Sequence, residues 1–324
     1  MAKYVVTGAA GFIGAALCRY LNANYKNCQV YGIDNVNDAY DTKIKHWRLT
    51  ELTKTENFSF IEDDISKVDG NWTDVFDDAD VVFHLAARAG VIPSVKNPRE
   101  YVRANIDGSL NLLEVCRNNG VDKIVMASTS SVYGGNKELP FKESAESSLT
   151  LSPYAATKKA AETLMFTYHH LYGINIQILR FFTVYGPAGR PDMSIFKFIN
   201  AIFEQEQLTL YGDGGERDFT YVNDVVSGLA KSMVLDGFNI INLGGDRPIK
   251  ITKIIELIEK YVGNSALIKV IERDSSDISK TWADITLART LLDWEPQTTI
   301  ENGLFDTVEW YRDNRDWLSK IRIG

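Results

Sequence analysis

The sequence predicts an α/β fold in which a doubly wound parallel sheet is joined to a smaller, mixed α/β domain. Three observations carry this expectation. Six short apolar or β-branched runs alternate with longer helical stretches in the first half of the chain. The runs are mostly apolar or β-branched, as in strands covered by helices on both faces. After about Thr183 the rhythm changes, and helical segments alternate with isolated short strands.

In chain order the strand-like runs are residues 3–6, 29–33, 58–61, 81–85, 123–126 and 176–182. Helical patterning covers residues 14–21, 98–118 and 153–172. The last of these has Ser152 placed as an N-cap and Pro153 at the first helical position, where a missing N–H is harmless. Residues 139–152 are polar and turn-rich and read as an exposed loop. Beyond Thr183, residues 193–206, 225–235, 251–262 and 300–317 read as helices, and 208–211 and 268–271 as strands. The expected domains are residues 1–182 and 183–324, with the chain returning to the first around 219–243.

Charge and composition narrow the classes of function. Lys and Arg total 35 against 43 Asp and Glu, a formal net charge of −8 over 324 residues. Such an acidic chain is ill suited to neutralising nucleic-acid phosphates, so no nucleic-acid partner is expected. No run approaches the ~20 apolar residues of a membrane span. The chain enters a strand-like run at once, with no cleavable apolar segment. A cytoplasmic protein without a membrane partner is therefore expected. Cys18, Cys28 and Cys116 are too scattered for a disulfide framework. His46, His84, His169 and His170 lack metal-ligand spacing, and no metal is expected.

The first strand runs into Thr7-Gly8-Ala9-Ala10-Gly11-Phe12-Ile13-Gly14 and then a helix. This G-x-x-G-x-x-G pattern is a variant of the dinucleotide fingerprint of Rossmann folds. Its glycines permit a tight turn, close backbone approach to a pyrophosphate and tight helix–strand packing. The helix start offers unpaired N–H groups and partial positive charge to phosphates. The second strand ends at Asp34, and 34 − 14 = 20 positions separate it from the last glycine, matching the usual spacing of about 20. A carboxylate there accepts the ribose hydroxyls of NAD and repels the extra phosphate of NADP, so NAD is the expected cofactor. Asp63-Asp64-Ile65 ends the third strand, placed to reach the adenine.

The fifth strand ends in Ser128-Thr129-Ser130-Ser131-Val132-Tyr133-Gly134. Its four hydroxyls lie where doubly wound sheets bind ligands. In the next helix, Tyr154 and Lys158 are four apart and share a face. A tyrosine of pKa about 10 is a poor base at neutral pH. A neighbouring cation, together with a positive nicotinamide ring, stabilises the phenolate.

Residues 8–14, His84-Leu85-Ala86-Ala87, Asn105, Thr129 and the Tyr154/Lys158 pair together resemble the extended short-chain dehydrogenase/reductase superfamily, over nearly the whole chain. The resemblance implies a Rossmann domain with tightly held NAD and a carboxyl-terminal domain that binds a UDP-sugar. It also implies a homodimer, paired through helices 105–118 and 153–172. The implied cofactor contacts are Gly8, Gly11, Phe12, Ile13, Gly14, Asp34, Asn35, Asp64, Ile65, Leu85, Ala86, Ala87, Arg88, Asn105, Ser128, Tyr154, Lys158 and Phe181. By the same resemblance Thr129 and Tyr154 meet the sugar 4-hydroxyl, with Lys158 completing the catalytic set.

Members of this superfamily oxidise C4 of the sugar and then diverge. In the 4,6-dehydratases the catalytic Thr is followed by Asp-Glu, and the decarboxylases resemble them with a Glu at the second position. Here Ser130 and Ser131 stand there, without a carboxyl group. Residues 34–41, 89–91, 179–193 and 217–224 closely resemble those of UDP-glucuronate 4-epimerases. This implies that Arg217 binds the diphosphate and that Thr183 and Arg190 lie near the C6 carboxylate, which the Ser130 and Ser131 hydroxyls are expected to help clamp. A planar guanidinium pairs bidentately with such a group. Tyr211 and Asp277 complete the implied substrate set. A UDP-glucose-type 4-epimerase and a UDP-glucuronate decarboxylase remain alternatives. The segment Asp274-Ser275-Ser276-Asp277-Ile278 keeps the family's Asp but lacks its Pro-Gly turn.

Overall fold

The structure, a computed structural model, describes residues 1–272 and 280–323. Its strands in chain order are β1 (Ala2–Thr7), β2 (Cys28–Asp34), β3 (Phe58–Glu62), β4 (Val81–His84), β5 (Lys123–Thr129), β6 (Asn175–Phe181), β7 (Thr183–Tyr185), β8 (Gln207–Tyr211), β9 (Glu216–Tyr221), β10 (Phe238–Leu243), β11 (Pro248–Lys250) and β12 (Leu267–Ile271). Seven of them form one parallel sheet in the order β10-β6-β5-β4-β1-β2-β3. The chain builds outward from β1 to β3, then returns to place β4 on the other side of β1. That reversal opens a crevice at the carboxyl ends of β1 and β4.

Successive strand side chains point to opposite faces, and here both faces are covered. Val6, Phe83, Val125 and Leu179 join one apolar cluster with Leu17 and Leu21 of the helix Phe12–Asn24 and Leu229 of the helix Val222–Ser232. Their neighbours Val5, Val82, Ile124 and Ile178 join a second, with Leu112 of the helix Gly108–Asn118 and Met165 of the helix Pro153–Tyr172. This double burial is why the strands read as continuous apolar runs.

The helix Pro153–Tyr172 starts and stops as its sequence dictates. Ser152 Oγ accepts from the Ala155 N–H at 3.2 Å, and Gly173 ends the helix at φ +71°. The expected helix 98–118 is divided by a π-helical turn, Arg103–Asp107, between the helices Pro98–Val102 and Gly108–Asn118. Residues 139–152 are more than an exposed loop. Phe141 is buried, stacks on Tyr133 with ring centroids 4.9 Å apart, and exchanges backbone hydrogen bonds with Trp282 and Asp284.

In the second half of the chain, β11-β9-β7 form a three-stranded sheet and β12 pairs with β8. Helices Ser194–Glu204, Ile251–Val262 and Ile300–Asp313 pack through Phe196, Ile254 and Tyr311. β7, β10, β11 and the helix Thr42–Leu52 were not apparent from patterning, β10 because Asn239 and Asn242 interrupt its apolar run. β7 and β11 have three residues each, and the buried face of that helix includes Lys45 and Arg48, which interrupt apolar periodicity. Among the described residues no helix is long and apolar enough to cross a membrane.

One buried ion pair ties helix to sheet. Glu162 of the helix Pro153–Tyr172 accepts two hydrogen bonds, at 2.9 and 2.8 Å, from Arg180 of β6 and a third, at 2.6 Å, from Ser128. Both charged side chains are at most 2% exposed. Glu162→Leu would strand the guanidinium, lowering stability by about 3–5 kcal/mol and the urea midpoint with it. The double variant Glu162→Leu/Arg180→Met should regain most of the loss. An unchanged midpoint in the single variant would show that the pair does not hold helix to sheet.

Candidate active site

The crevice is built on glycines that leave no room for side chains. A Cβ at Gly14 would stand 2.1 Å from the Gly8 carbonyl oxygen, and one at Gly8, where φ is +77°, 2.8 Å from the Ala86 nitrogen. Helix Phe12–Asn24 begins at Gly11 without a side-chain cap, so its first N–H groups face the crevice for an anionic ligand. Asp34, at the end of β2, is buried. Its two carboxylate oxygens accept from the Ala10 N–H (3.1 Å) and the Val36 N–H (2.8 Å), with Lys45 Nζ at 3.8 Å. Burial alone would raise the Asp64 carboxyl, but hydrogen bonds from Ser66 and Asn35 outweigh it and hold it below the usual range. A bare glycine cradle, an uncapped helix start and carboxylates at two successive strand ends suit a dinucleotide.

Of the expected cofactor residues, Gly8, Gly11, Phe12, Ile13, Gly14, Asp34, Asn35, Asp64, Ile65, Leu85, Ala86, Ala87, Arg88, Ser128, Tyr154, Lys158 and Phe181 all line this one cleft. Asn105 does not. It sits in the π-helical turn, buried, with Oδ1 accepting from Arg88 N–H and Nδ2 donating to Arg88 O and Thr157 Oγ1. Its side chain braces the loop after β4 from behind. Patterning had given no chemistry to Asn37, Tyr40 and Lys45, which also line the cleft. They belong to the polar segment after β2, where charge without periodicity hides a role.

Tyr154 and Lys158 enter the cleft from one face of the helix. Burial raises the Tyr154 phenol, while a hydrogen bond with Thr129 and the charge of Arg190 pull it down. Burial lowers Lys158 to about 8, with Glu162 opposing the change. Lys158 thus carries its charge at neutral pH. The phenol, raised overall, needs further positive charge to ionise. Thr129 Oγ1 also accepts from the Ser131 N–H at 3.1 Å and donates to Ser131 Oγ at 3.2 Å. Ser130 and Ser131 open the short 3-10 turn after β5, just outside the cleft lining.

Thr183, first in β7, lines a smaller adjoining cavity, and Phe12 and Arg190 line both spaces. Arg190 does hold a carboxylate bidentately, but it is that of Asp192, at 3.0 and 2.5 Å. Tyr211 is exposed on β8, and Arg217 of β9 donates to the Glu216 carbonyl. Both lie outside the two spaces. Asp277 lies outside the described residues. His84 is fully buried, bonded to Thr7 Oγ1 and Ser109 Oγ, and burial lowers it to about 3. It is a satisfied core histidine.

Comparison with known proteins agrees with this geometry. Residues 4–244 match the model of the NAD dependent epimerase/dehydratase family. UDP-glucuronate 4-epimerase of Thermodesulfobacterium geofontis is 49% identical over 327 residues, covering 100% of both chains. The crystal structure of UDP-glucuronic acid 4-epimerase from Bacillus cereus, in complex with UDP-glucuronic acid and NAD, is similar with a TM-score of 0.90 at 38% identity, covering 96% of this chain and 99% of that one. UDP-glucose 4-epimerase from Thermotoga maritima, with UDP-glucose, has a TM-score of 0.88 at 30% identity, over 97% and 99% of the two chains. The chain belongs to the NAD dependent epimerase/dehydratase family.

Proposed function

We propose that the chain is a UDP-glucuronate 4-epimerase, interconverting UDP-glucuronate and UDP-galacturonate. The observation that carries the reading is the company Tyr154 keeps. The buried ammonium of Lys158 and the guanidinium of Arg190 share its cleft, and only hydroxyls follow Thr129. When bound, NAD supplies a hydride acceptor for C4 and then a donor to the opposite face of the ketone. Residues 1–182, with the return at 219–243, hold the cofactor, and residues 183–324 hold the nucleotide sugar. Arg217 takes the diphosphate, and Tyr211 and Asp277 are the remaining substrate-binding residues of this reading.

The protein's own work is proton transfer and orientation. Tyr154, as phenolate, takes the 4-hydroxyl proton with Thr129 beside it and later returns it. Lys158 holds the phenolate by charge. Ser130 and Ser131 have no carboxyl group with which to expel water. A uronate adds a hazard, because its 4-keto form is a β-keto acid. When the C5–C6 bond stands perpendicular to the carbonyl plane it breaks, CO2 leaves, and the electron pair forms an enolate that takes a proton at C5. Arg190, Thr183, Ser130 and Ser131 hold the carboxylate near that plane, an orientation effect worth up to about 7–11 kcal/mol. Asp192 already compensates Arg190, and this favours a second reading, a 4-epimerase for UDP-glucose.

Separate incubations with UDP-glucuronate and UDP-glucose, with the epimers resolved chromatographically, decide between the two. UDP-galacturonate is expected from the first and no epimer from the second. Turnover of UDP-glucose alone selects the second reading, and CO2 without epimer indicates a decarboxylase. Tyr154→Phe should lower kcat by about 10²–10⁴ while the purified protein keeps its NAD; undiminished turnover would remove Tyr154 as base.

Because the ionised phenol is the active form and a cation favours it, Lys158→Met should move the acid limb of the kcat–pH profile to higher pH. Lys158→Arg should move it less. A limb that stays put would mean that Lys158 does not tune the phenol.

The protein acts as a cytoplasmic homodimer. Exposed Val102 and Leu110 on one helical stretch and Phe166 and Leu171 on the other supply apolar faces for pairing. Sedimentation equilibrium should return twice the chain mass, and Leu110→Lys/Phe166→Lys should halve it. A wild-type monomer would refute the pairing.

A further inference from the structure

Arg48 carries its charge into the interior without a counter-ion. It is 0% exposed, and among the described residues no carboxylate pairs with it. All five N–H donors of a guanidinium are spent on neutral oxygens. Nε and Nη2 donate to the Ala188 carbonyl at 3.0 and 2.8 Å, and Nη2 also donates to Gly189 O at 3.1 Å. Nη1 donates to Ala10 O at 3.0 Å and to the Tyr40 hydroxyl at 2.8 Å. Burying an unpaired charge is strongly unfavourable, and an apolar side chain would fill the same space. What only a guanidinium supplies is the set of five directed bonds.

Those bonds join two distant parts of the site. Ala10 lies in the glycine loop, while Ala188 and Gly189 lead directly into Arg190. Ala188 has φ +55°, a conformation that a non-glycine residue keeps only where its surroundings impose it. Tyr40 completes the joint. Its ring centroid lies 5.6 Å from the Arg48 guanidinium, 5.5 Å from that of Arg190 and 5.1 Å from Lys45 Nζ. Arg190 is thereby fixed through its backbone by Arg48, through its face by Tyr40 and through its edge by Asp192.

We propose that Arg48 and Tyr40 are positioning residues for the uronate end of the substrate: they lock the 188–190 turn to the glycine loop, so that Arg190 meets the sugar carboxylate in register with the cofactor-binding backbone. The proposal rests on the reading of Arg190 as the carboxylate-binding residue. A role in stability alone would change the melting temperature. A positioning role changes the fate of the 4-keto acid.

The test uses NAD-loaded enzyme and UDP-glucuronate, and measures the ratio of CO2 released to epimer formed, KM, NAD content and melting temperature. Arg48→Lys keeps the charge and loses the fork, Tyr40→Leu removes the ring and leaves the backbone bonds of Arg48, and Arg190→Gln is the reference. Since misplacing a reacting group is expensive in rate, Arg48→Lys and Tyr40→Leu should each raise the CO2-to-epimer ratio about tenfold with a higher KM. Arg190→Gln should do the same. A raised ratio in Arg190→Gln with wild-type ratios in the other two overturns this inference and leaves the uronate reading intact. Wild-type ratio and KM in all three variants overturn the Arg190 reading itself. If Arg48→Lys fails to fold or to hold NAD, Tyr40→Leu decides: a wild-type ratio there overturns the inference, and a raised ratio supports it.

Discussion

The close backbone crossing at the glycine loop is the constraint from which the rest of the site is measured. Gly8 and Gly14 approach so closely that a side chain at either would collide with main-chain atoms. The crossing is latched on every side. The Gly8 and Ala9 N–H groups donate to Ile33 O of β2, the Ala86 N–H after β4 donates to Thr7 Oγ1, and Ala10 bonds Asp34 through its N–H and Arg48 through its carbonyl. Three strand ends and a helix start therefore meet at fixed spacing. A ligand that reads backbone N–H groups is held only where such spacing persists.

Electrostatics complete what the backbone begins. The chain is acidic overall, yet Lys45, Arg48 and Lys158 are buried around this cleft and Arg190 is nearly so. Nearby acidic groups are already engaged: Glu162 by Arg180, Asp192 by Arg190, and Asp34 by backbone N–H groups. Lys45, Arg88, Lys158 and Arg190 line the cleft together with Asp34, Asp63 and Asp64, and these cations suit phosphate groups. Burial raises the Tyr154 phenol, while the Thr129 hydrogen bond and the charge of Arg190 favour its ionised form.

How much of this was legible in the sequence follows from chemistry. Strands β1 to β6 announced themselves because burial makes them largely apolar or β-branched. β7 and β11 are short and β10 is interrupted by Asn239 and Asn242, and none gave a periodic signal. The glycine spacing, Asp34, and the Tyr154/Lys158 pair were readable because each is a local pattern with one dominant physical use. The resemblance implies a cofactor contact at Asn105; its amide bonds Arg88 and Thr157, partners that only coordinates reveal. Arg48 was invisible for a related reason. Its partners are main-chain carbonyls 38, 140 and 141 positions away, and carbonyls leave no trace in residue identity. Segment 139–152 looked exposed by composition because one anchor, Phe141, outweighs its polar neighbours.

Central to the account is that the hydrogen lifted from C4 never leaves the site and returns to the same carbon from the other side. UDP-glucuronate carrying deuterium at C4, incubated in ordinary water and analysed by NMR as UDP-galacturonate, tests this directly. Deuterium is expected to remain at C4 of the product, with no solvent hydrogen there. Washout of the label into water would contradict it, because the inversion would then proceed by loss of a proton and not by a hydride held in the cleft.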